Sequence, residues 1–168
     1  MTLNKEFGIS SFRNEWQKAS LSILYTYGFL SNGYESFFKK HNLTTQQYNA
    51  LRILRDQFPK PVSTSFLREK MMDKMSDASR LVSRLSAKGL VTVTQNPSDK
   101  RLVNILISAE GQKLCNEIDA DLHNLDALLK GLSEEEALTL IELLAKARAS
   151  ILRQTNEEVE TAVESVNA

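Results

Sequence analysis

The chain has 168 residues, 42% of them hydrophobic and 25% charged, which is enough to bury a core without disulfides or metals. Its 21 basic and 21 acidic residues cancel, and its one cysteine and two histidines exclude an intrachain disulfide and a Cys/His metal cluster. Residues 1–11 lack the apolar core of a signal peptide, and the most apolar early stretch, 21–30, is about half of the ~20 residues that a membrane span needs, so a soluble cytoplasmic protein with no membrane partner is expected.

The first predicted helix spans 10–41. Phe12, Trp16, Ile23, Leu24, Tyr27, Leu30, Tyr34, Phe37 and Phe38 cover more than one of its faces. A helix that is apolar on several sides is buried on several sides, which in a chain of this size points to a partner subunit. Thr44 and Gln47 have the spacing of a capping box and start a second helix along Tyr48, Leu51 and Leu54. It ends before Pro59, because the residue preceding a proline avoids the helical region. Pro61-Val62 is read as a very short strand. Ser63 then caps a short helix carrying Phe66, Leu67 and Met71.

The next helix is predicted over about 76–88, with Asp73 or Ser76 as its cap and Gly89 as its left-handed stop. Past Gly89 the hydrophobic period changes from 3.6 to 2. Val91 to Thr94 reads as a strand, Asn96-Pro97-Ser98-Asp99 as a turn, and Leu102 to Ile107 as the returning strand. Ser108 caps a helix from Ala109 to about Leu129, with Leu114, Ile118, Leu122 and Leu125 on one stripe. Ser133 and Glu136 form another capping box, and the last helix runs through Leu140, Ile141, Leu144 and Ile151 toward Val159, fraying past Asn156.

Charge is distributed unevenly behind the neutral total. Residues 60–101 hold nine basic and four acidic side chains, whereas 102–168 hold five basic and thirteen acidic ones. A basic middle beside an acidic tail suggests a localised anion-binding surface. The helix over 76–88 has the matching face. At 100° per residue, Ala78, Leu81, Val82 and Leu85 point one way, while Ser76, Arg80, Ser83 and Ala87 point the other, flanked by Ser79 and Arg84. Slim residues permit close approach to a major groove, hydroxyls bond phosphates or bases, and arginines reach guanine edges or phosphates. Asp77 either caps this helix or accepts from a cytosine amine. At the hairpin tip, Lys100 and Arg101 place two cations on a protruding turn. A narrow minor groove focuses negative potential on such an arginine, and Asp99 is spaced to hold the Arg101 guanidinium.

Four blocks give the pattern a family likeness: Ser79 to Leu85, Lys88-Gly89-Leu90-Val91, Asn96 to Arg101, and Leu106-Ile107-Ser108-Ala109-Glu110-Gly111. Together they resemble the MarR family of bacterial regulators over about 12–153, the Asp-Lys-Arg wing being the most specific piece. The resemblance implies a mainly α fold with a small β-hairpin wing: a winged helix-turn-helix in a triangular homodimer. Within one domain over 1–168, it implies an N-terminal dimerisation helix at 10–41, a DNA-binding lobe at 43–108 and C-terminal dimerisation helices at 109–168. It implies a regulator, by family default a repressor, on double-stranded DNA with a pseudo-palindromic operator, its half-sites ~34 Å apart. Carried over, Ser76, Asp77, Ser79, Arg80 and Ser83 face the groove, Arg101 with Lys100 enters the minor groove, and Asp99 supports Arg101. Arg84 either joins the groove face or bridges to Asp99. Ser63 and Thr64 contact phosphate. The chain departs from the pattern in its methionine-rich link, Met71 to Met75, read as core filler, and in carrying Lys100 where many members have a second arginine.

Family members often release DNA when a small aromatic or lipophilic ligand enters a cleft beside the dimer helices. The aromatic candidates for such a pocket are Trp16, Tyr25, Tyr27, Phe37, Phe38, His41 and Tyr48, with burial in the core as the competing role for each. Cys115 reads as a structural thiol rather than a redox sensor. No catalytic residues, metal site or cofactor are expected, because no phosphate loop, paired metal ligands or nucleophile–base arrangement is present. A winged helix used only for protein contacts is the alternative function.

Overall fold

The computed structural model describes residues 3–8, 10–72, 77–97, 99 and 101–166, with no side-chain description for 3, 4 and 156–166. It forms two compact units, Met1–Leu128 and Leu129–Ala168. The division falls inside the 109–168 segment that the sequence groups together.

In the first unit, α1 (Leu3–Phe7) precedes α2 (Glu15–Lys39). The sequence expectation of one helix from Ser10 is corrected here. Asn14 caps α2 by accepting from the Gln17 N–H, and α1 stands apart, its Phe7 ring edge-on to Phe12 and Tyr25. The predicted capping box opens α3 (Thr45–Gln57): Thr44 Oγ1 accepts from Gln47 N, and Gln47 Oε1 accepts from Thr44 N. Val62 makes one antiparallel bridge to Ile105 where a short strand was expected. Ser63 caps α4 (Thr64–Lys70) and Asp77 caps α5 (Ala78–Ala87).

Strands β1 (Val91–Gln95) and β2 (Val103–Ile107) pair antiparallel, with Val91 opposite Ile107 and Gln95 opposite Val103. The expected single helix after them is broken into α6 (Ala109–Asp121), α7 (His123–Asp126) and a 3-10 turn at Ala127–Leu129. At the break, Asn124 Nδ2 donates to Asp121 O and His123 Nδ1 lies 3.0 Å from Ala120 O. Side chains that compete for main-chain carbonyls weaken a helix there. In the second unit, the Ser133–Glu136 capping box starts α8 (Glu134–Val166), which runs beyond the expected end near Val159. Glutamate and alanine in its last turns, with no glycine or proline, favour continuation.

The first unit has one core. Phe38, Leu51, Leu54, Leu67, Leu85, Ile105, Ile107 and Ile118 are its most enclosed large side chains. Leu85 joins α5 to it. The helix ends in the left-handed Gly89, with Gly89 N donating to Ser86 O and Leu90 N to Leu85 O, which brings buried Leu90 back onto Leu85. Met71 is buried, but Met72 is exposed, so the expectation of methionine core filler fails at Met72; Met75 lies outside the described residues.

A polar cluster closes the α3–α6 contact. Arg55 Nη1 donates to Asp119 Oδ2 at 2.7 Å, and the Tyr48 hydroxyl donates to Asp119 Oδ1 at 3.1 Å. Burial, reinforced by the Asp119 hydrogen bond, pushes the Tyr48 hydroxyl from 10.0 to about 12, and burial pushes the Cys115 thiol from 9.0 to about 11. The native chain therefore keeps two protons that the unfolded chain releases first. Their stabilisation is complete below pH about 9 and is lost as pH rises, through about 11 for Cys115 and about 12 for Tyr48. Urea midpoints are expected to hold level up to about pH 8.5 and fall above pH 9. Cys115→Ala should abolish the earlier part of that fall, and a midpoint flat to pH 11 in the parent chain would contradict the assignment.

Candidate nucleic-acid interface

The outer face of α5 is built by the burial of its inner one. Ala78, Val82 and Leu85 are buried and Leu81 is half-buried, which leaves Ser79, Arg80, Ser83 and Arg84 exposed on the far side. The Asp77 carboxylate accepts from Arg80 N at 3.0 Å and lies 3.6 Å from Arg80 Nε, so it both caps the helix and holds the root of the arginine. Ser83 Oγ donates to Ser79 O, a bond within the helix. Ser76 lies outside the described residues.

The wing is organised by side-chain bonds at its tip. Asn96 Nδ2 donates to Asn104 Oδ1, and Asn96 Oδ1 accepts from Asp99 N. Asp99 in turn accepts three bonds from Arg101: from its N at 3.0 Å and its Nε at 3.1 Å through Oδ1, and from Nη2 at 3.1 Å through Oδ2. The side-chain bond, then the main-chain one, lowers the Asp99 pKa, and the same pairing raises that of Arg101. The Arg101 side chain is 89% exposed, where an ion pair adds little to stability. What the pair fixes is direction: two of the five guanidinium donors are engaged by Asp99, leaving three. Among the described residues Arg84 makes no ion pair with Asp99, which is engaged by Arg101. Lys100 lies outside the described residues.

Between these elements lies a cleft of about 510 Å³. Ser63, Thr64, Ser65 and Arg68 line it from α4 and its cap, Asp77, Ala78 and Ser79 from the start of α5, and Arg101, Leu102 and Val103 from the wing. Five of the predicted contact residues, Ser63, Thr64, Asp77, Ser79 and Arg101, thus share one concavity. Arg68 and Ser65 were missed from sequence. Arg68 was findable, since it lies four residues after Thr64 on one helical face. Ser63 Oγ accepts from Phe66 N at 3.1 Å, so its lone pair serves the helix while its O–H proton remains available to an outside acceptor. Ser63→Ala should therefore cost about 1 kcal/mol of stability, read as a lowered thermal midpoint; an unchanged midpoint would contradict the cap.

Four of the seven aromatic pocket candidates, Phe37, Phe38, His41 and Tyr48, adjoin one another, and the other three lie elsewhere on α2. Trp16 and Tyr27 stand out from α2, 81% and 66% exposed, and Tyr25 packs between the rings of Phe7 and Phe29. Phe37 and Phe38 are core residues, with Tyr48 stacked on Phe38 at 4.5 Å. His41 sits by Phe37, its Nε2 3.9 Å from Asp121 Oδ2. In the single chain the candidates fall in two groups: those at one end of α2 fill the core, and those at the other face outward. Among the described residues, no group of acidic, histidine and cysteine side chains could hold a metal ion, and no helix is long and apolar enough to cross a membrane.

Residues 43–103 match the model of the MarR family. Among solved structures, a MarR transcription factor from Planctomyces limnophilus is similar at 29% identity and a TM-score of 0.64, covering 80% of this chain and 98% of that one. A cysteine-to-serine mutant of E. coli MarR, complexed with operator DNA, is similar at 24% identity and a TM-score of 0.71, covering 82% of this chain and 99% of that one. BpsR from Bordetella bronchiseptica, whose DNA binding is regulated by 6-hydroxynicotinic acid, is similar at 21% identity and a TM-score of 0.69, covering 78% and 98%. No curated protein matches the sequence. The chain has the fold of MarR-family transcription regulators.

Proposed function

We propose, from a chain whose residues 43–103 form a MarR-family winged-helix domain, that it binds a pseudo-palindromic operator as a homodimer and represses transcription. The observation that carries the reading is the shared cleft: the hydroxyls of α4, the start of α5 and the Asp99-braced Arg101 all border one concavity, which Arg68 also lines. In this reading α5 enters the major groove through Ser76, Ser79, Arg80, Ser83 and Arg84. Asp77 sets the start of the helix, Ser63 and Thr64 bond phosphate, and Arg101 with Lys100 enters the minor groove. The dimer reading has separate support. Trp16, Ile23, Leu24 and Tyr27 leave an apolar face of α2 exposed in the single chain, and Leu138, Ile141 and Leu152 do the same on α8. Exposed apolar faces of this kind are normally covered by another subunit. Release by a small aromatic ligand belongs to the same proposal, by analogy with BpsR.

Incubating the purified chain with fragmented genomic DNA tests this reading. Recovered fragments are expected to share an inverted repeat with half-sites about one helical turn apart, and sedimentation should give twice the chain mass. Recovery of no common sequence would count against operator binding, and a monomer at micromolar concentration would count against the dimer.

A further inference from the structure

We propose that Lys88 is a positioning residue for duplex recognition, its ammonium tying the end of α5 to the turn between α2 and α3. The inference rests on the DNA-binding reading above and adds to it a residue outside the groove face.

The two helices end alike. Asn42 follows α2 at φ 56° and Gly89 follows α5 at φ 71°, both left-handed. Leu43 N donates to Phe38 O, and Leu90 N to Leu85 O, each at 3.0 Å. Lys88 is the C-cap residue of α5, and its side chain leaves that helix to reach the other turn. Lys88 Nζ donates to the carbonyl of Asn42, and at 3.3 Å to Gln47 Oε1. That same Gln47 oxygen accepts from Thr44 N in the α3 capping box, and Gln47 is buried. One cation thus spans the end of α5, the end of α2 and the beginning of α3. A positive charge beside the carbonyl end of α2 is electrostatically favoured. Both acceptors are neutral oxygens, so the bond fixes position rather than neutralising a carboxylate.

Lys88 sits at the far end of α5 from Asp77, Ser79 and Arg80. Burial of Val82 and Leu85 holds the helix in the core without it. What the tether supplies is the roll of α5 about those buried residues. Without it, a smaller share of molecules presents Arg80 and Arg84 in the binding orientation, and apparent affinity falls by that share.

The test uses full-length Lys88→Met and Lys88→Arg, with binding to a recovered duplex followed by fluorescence anisotropy over a range of salt concentrations. Lys88→Met is expected to bind about tenfold more weakly, the scale of one lost charge-assisted hydrogen bond, with an unchanged slope of log Kd against log salt. Lys88→Arg should keep most of the affinity. Parental affinity in the Met variant would overturn the proposal. So would a loss accompanied by a slope reduced by about one ion, since that marks a direct phosphate contact. Amide exchange provides a readout without DNA: exchange at 43–47 and 89–90 is expected to quicken in the Met variant, and unchanged exchange would overturn the tether. Failure of the parent chain itself to bind any duplex would instead count against the DNA-binding reading.

Discussion

Replacing Gly111 with valine is expected to destabilise the protein by about 3 kcal/mol or more, at the upper end for overpacking, and to lower the thermal midpoint by roughly 6–12 °C. A Cβ at this position would lie 2.3 Å from Leu90 O and 2.8 Å from Ile107 Cγ1. The first of these is main-chain oxygen, which no rotamer change can move aside. It is also held in place, because Leu90 O accepts from Ser108 N at 3.0 Å. Ser108 Oγ donates to Gly89 O at 2.7 Å and accepts from Gly111 N at 3.0 Å. The turn after α5, the base of the hairpin and the first turn of α6 therefore meet within one hydrogen-bonded knot. Gly111→Ala should show a smaller loss, since alanine recovers about 1 kcal/mol of helix propensity against the same clash. Differential scanning calorimetry reads both; a valine variant as stable as the parent would show that the knot yields easily.

The second large effect is on binding. Arg101→Ala is expected to weaken duplex affinity between about tenfold and about a hundredfold while leaving the thermal midpoint unchanged. The two expectations have one cause, the exposure of Arg101: it contributes little to the fold and offers three donors outward. Asp99→Ala separates charge from orientation. It leaves the guanidinium in place and removes the two bonds that aim it, together with the main-chain bond from Arg101 N, so an intermediate loss is expected. Were Asp99→Ala to bind more tightly than the parent, the carboxylate would be acting chiefly as a repulsive charge near phosphate rather than as a brace.

Local signals were the most legible part of the sequence. Thr44–Gln47, Ser63, Ser108 and Ser133–Glu136 each cap the helix assigned to them, because a hydroxyl needs only its own neighbours to satisfy an unpaired N–H. The inward set of α5, Ala78, Leu81, Val82 and Leu85, follows from helical periodicity alone. Signals that depend on competing local bonds were harder to read. The stripe Leu114, Ile118, Leu122 and Leu125 continues through the break at Leu122, so hydrophobic spacing gave no warning of it. Asn14, which hydrophobic spacing did not mark, caps α2, and Asp77 rather than Asp73 or Ser76 caps α5.

Contacts made across the chain were not legible at all. Gly111 was part of a motif, but the oxygen it must accommodate is 21 residues away in sequence. Ser65 carries no mark of its own and gains a role only when α4 and the wing enclose the same cleft. The aromatic residues of α2 are a different case. Chemical type grouped them into one pocket, whereas the length of the helix separates Trp16 from Phe37 by 21 positions, about 30 Å at 1.5 Å per residue.

The account depends on the cleft-bordering cations meeting a phosphate-lined duplex, and the affinity of the purified chain for a duplex recovered from its own genome, measured from about 50 to 200 mM salt, tests this most directly. A linear fall of log affinity with log salt is predicted, with a slope corresponding to several released counterions and a shallower slope for a chain carrying both Arg68→Ala and Arg101→Ala. Affinity that does not change with salt, or a parental slope in the doubly substituted chain, would contradict it.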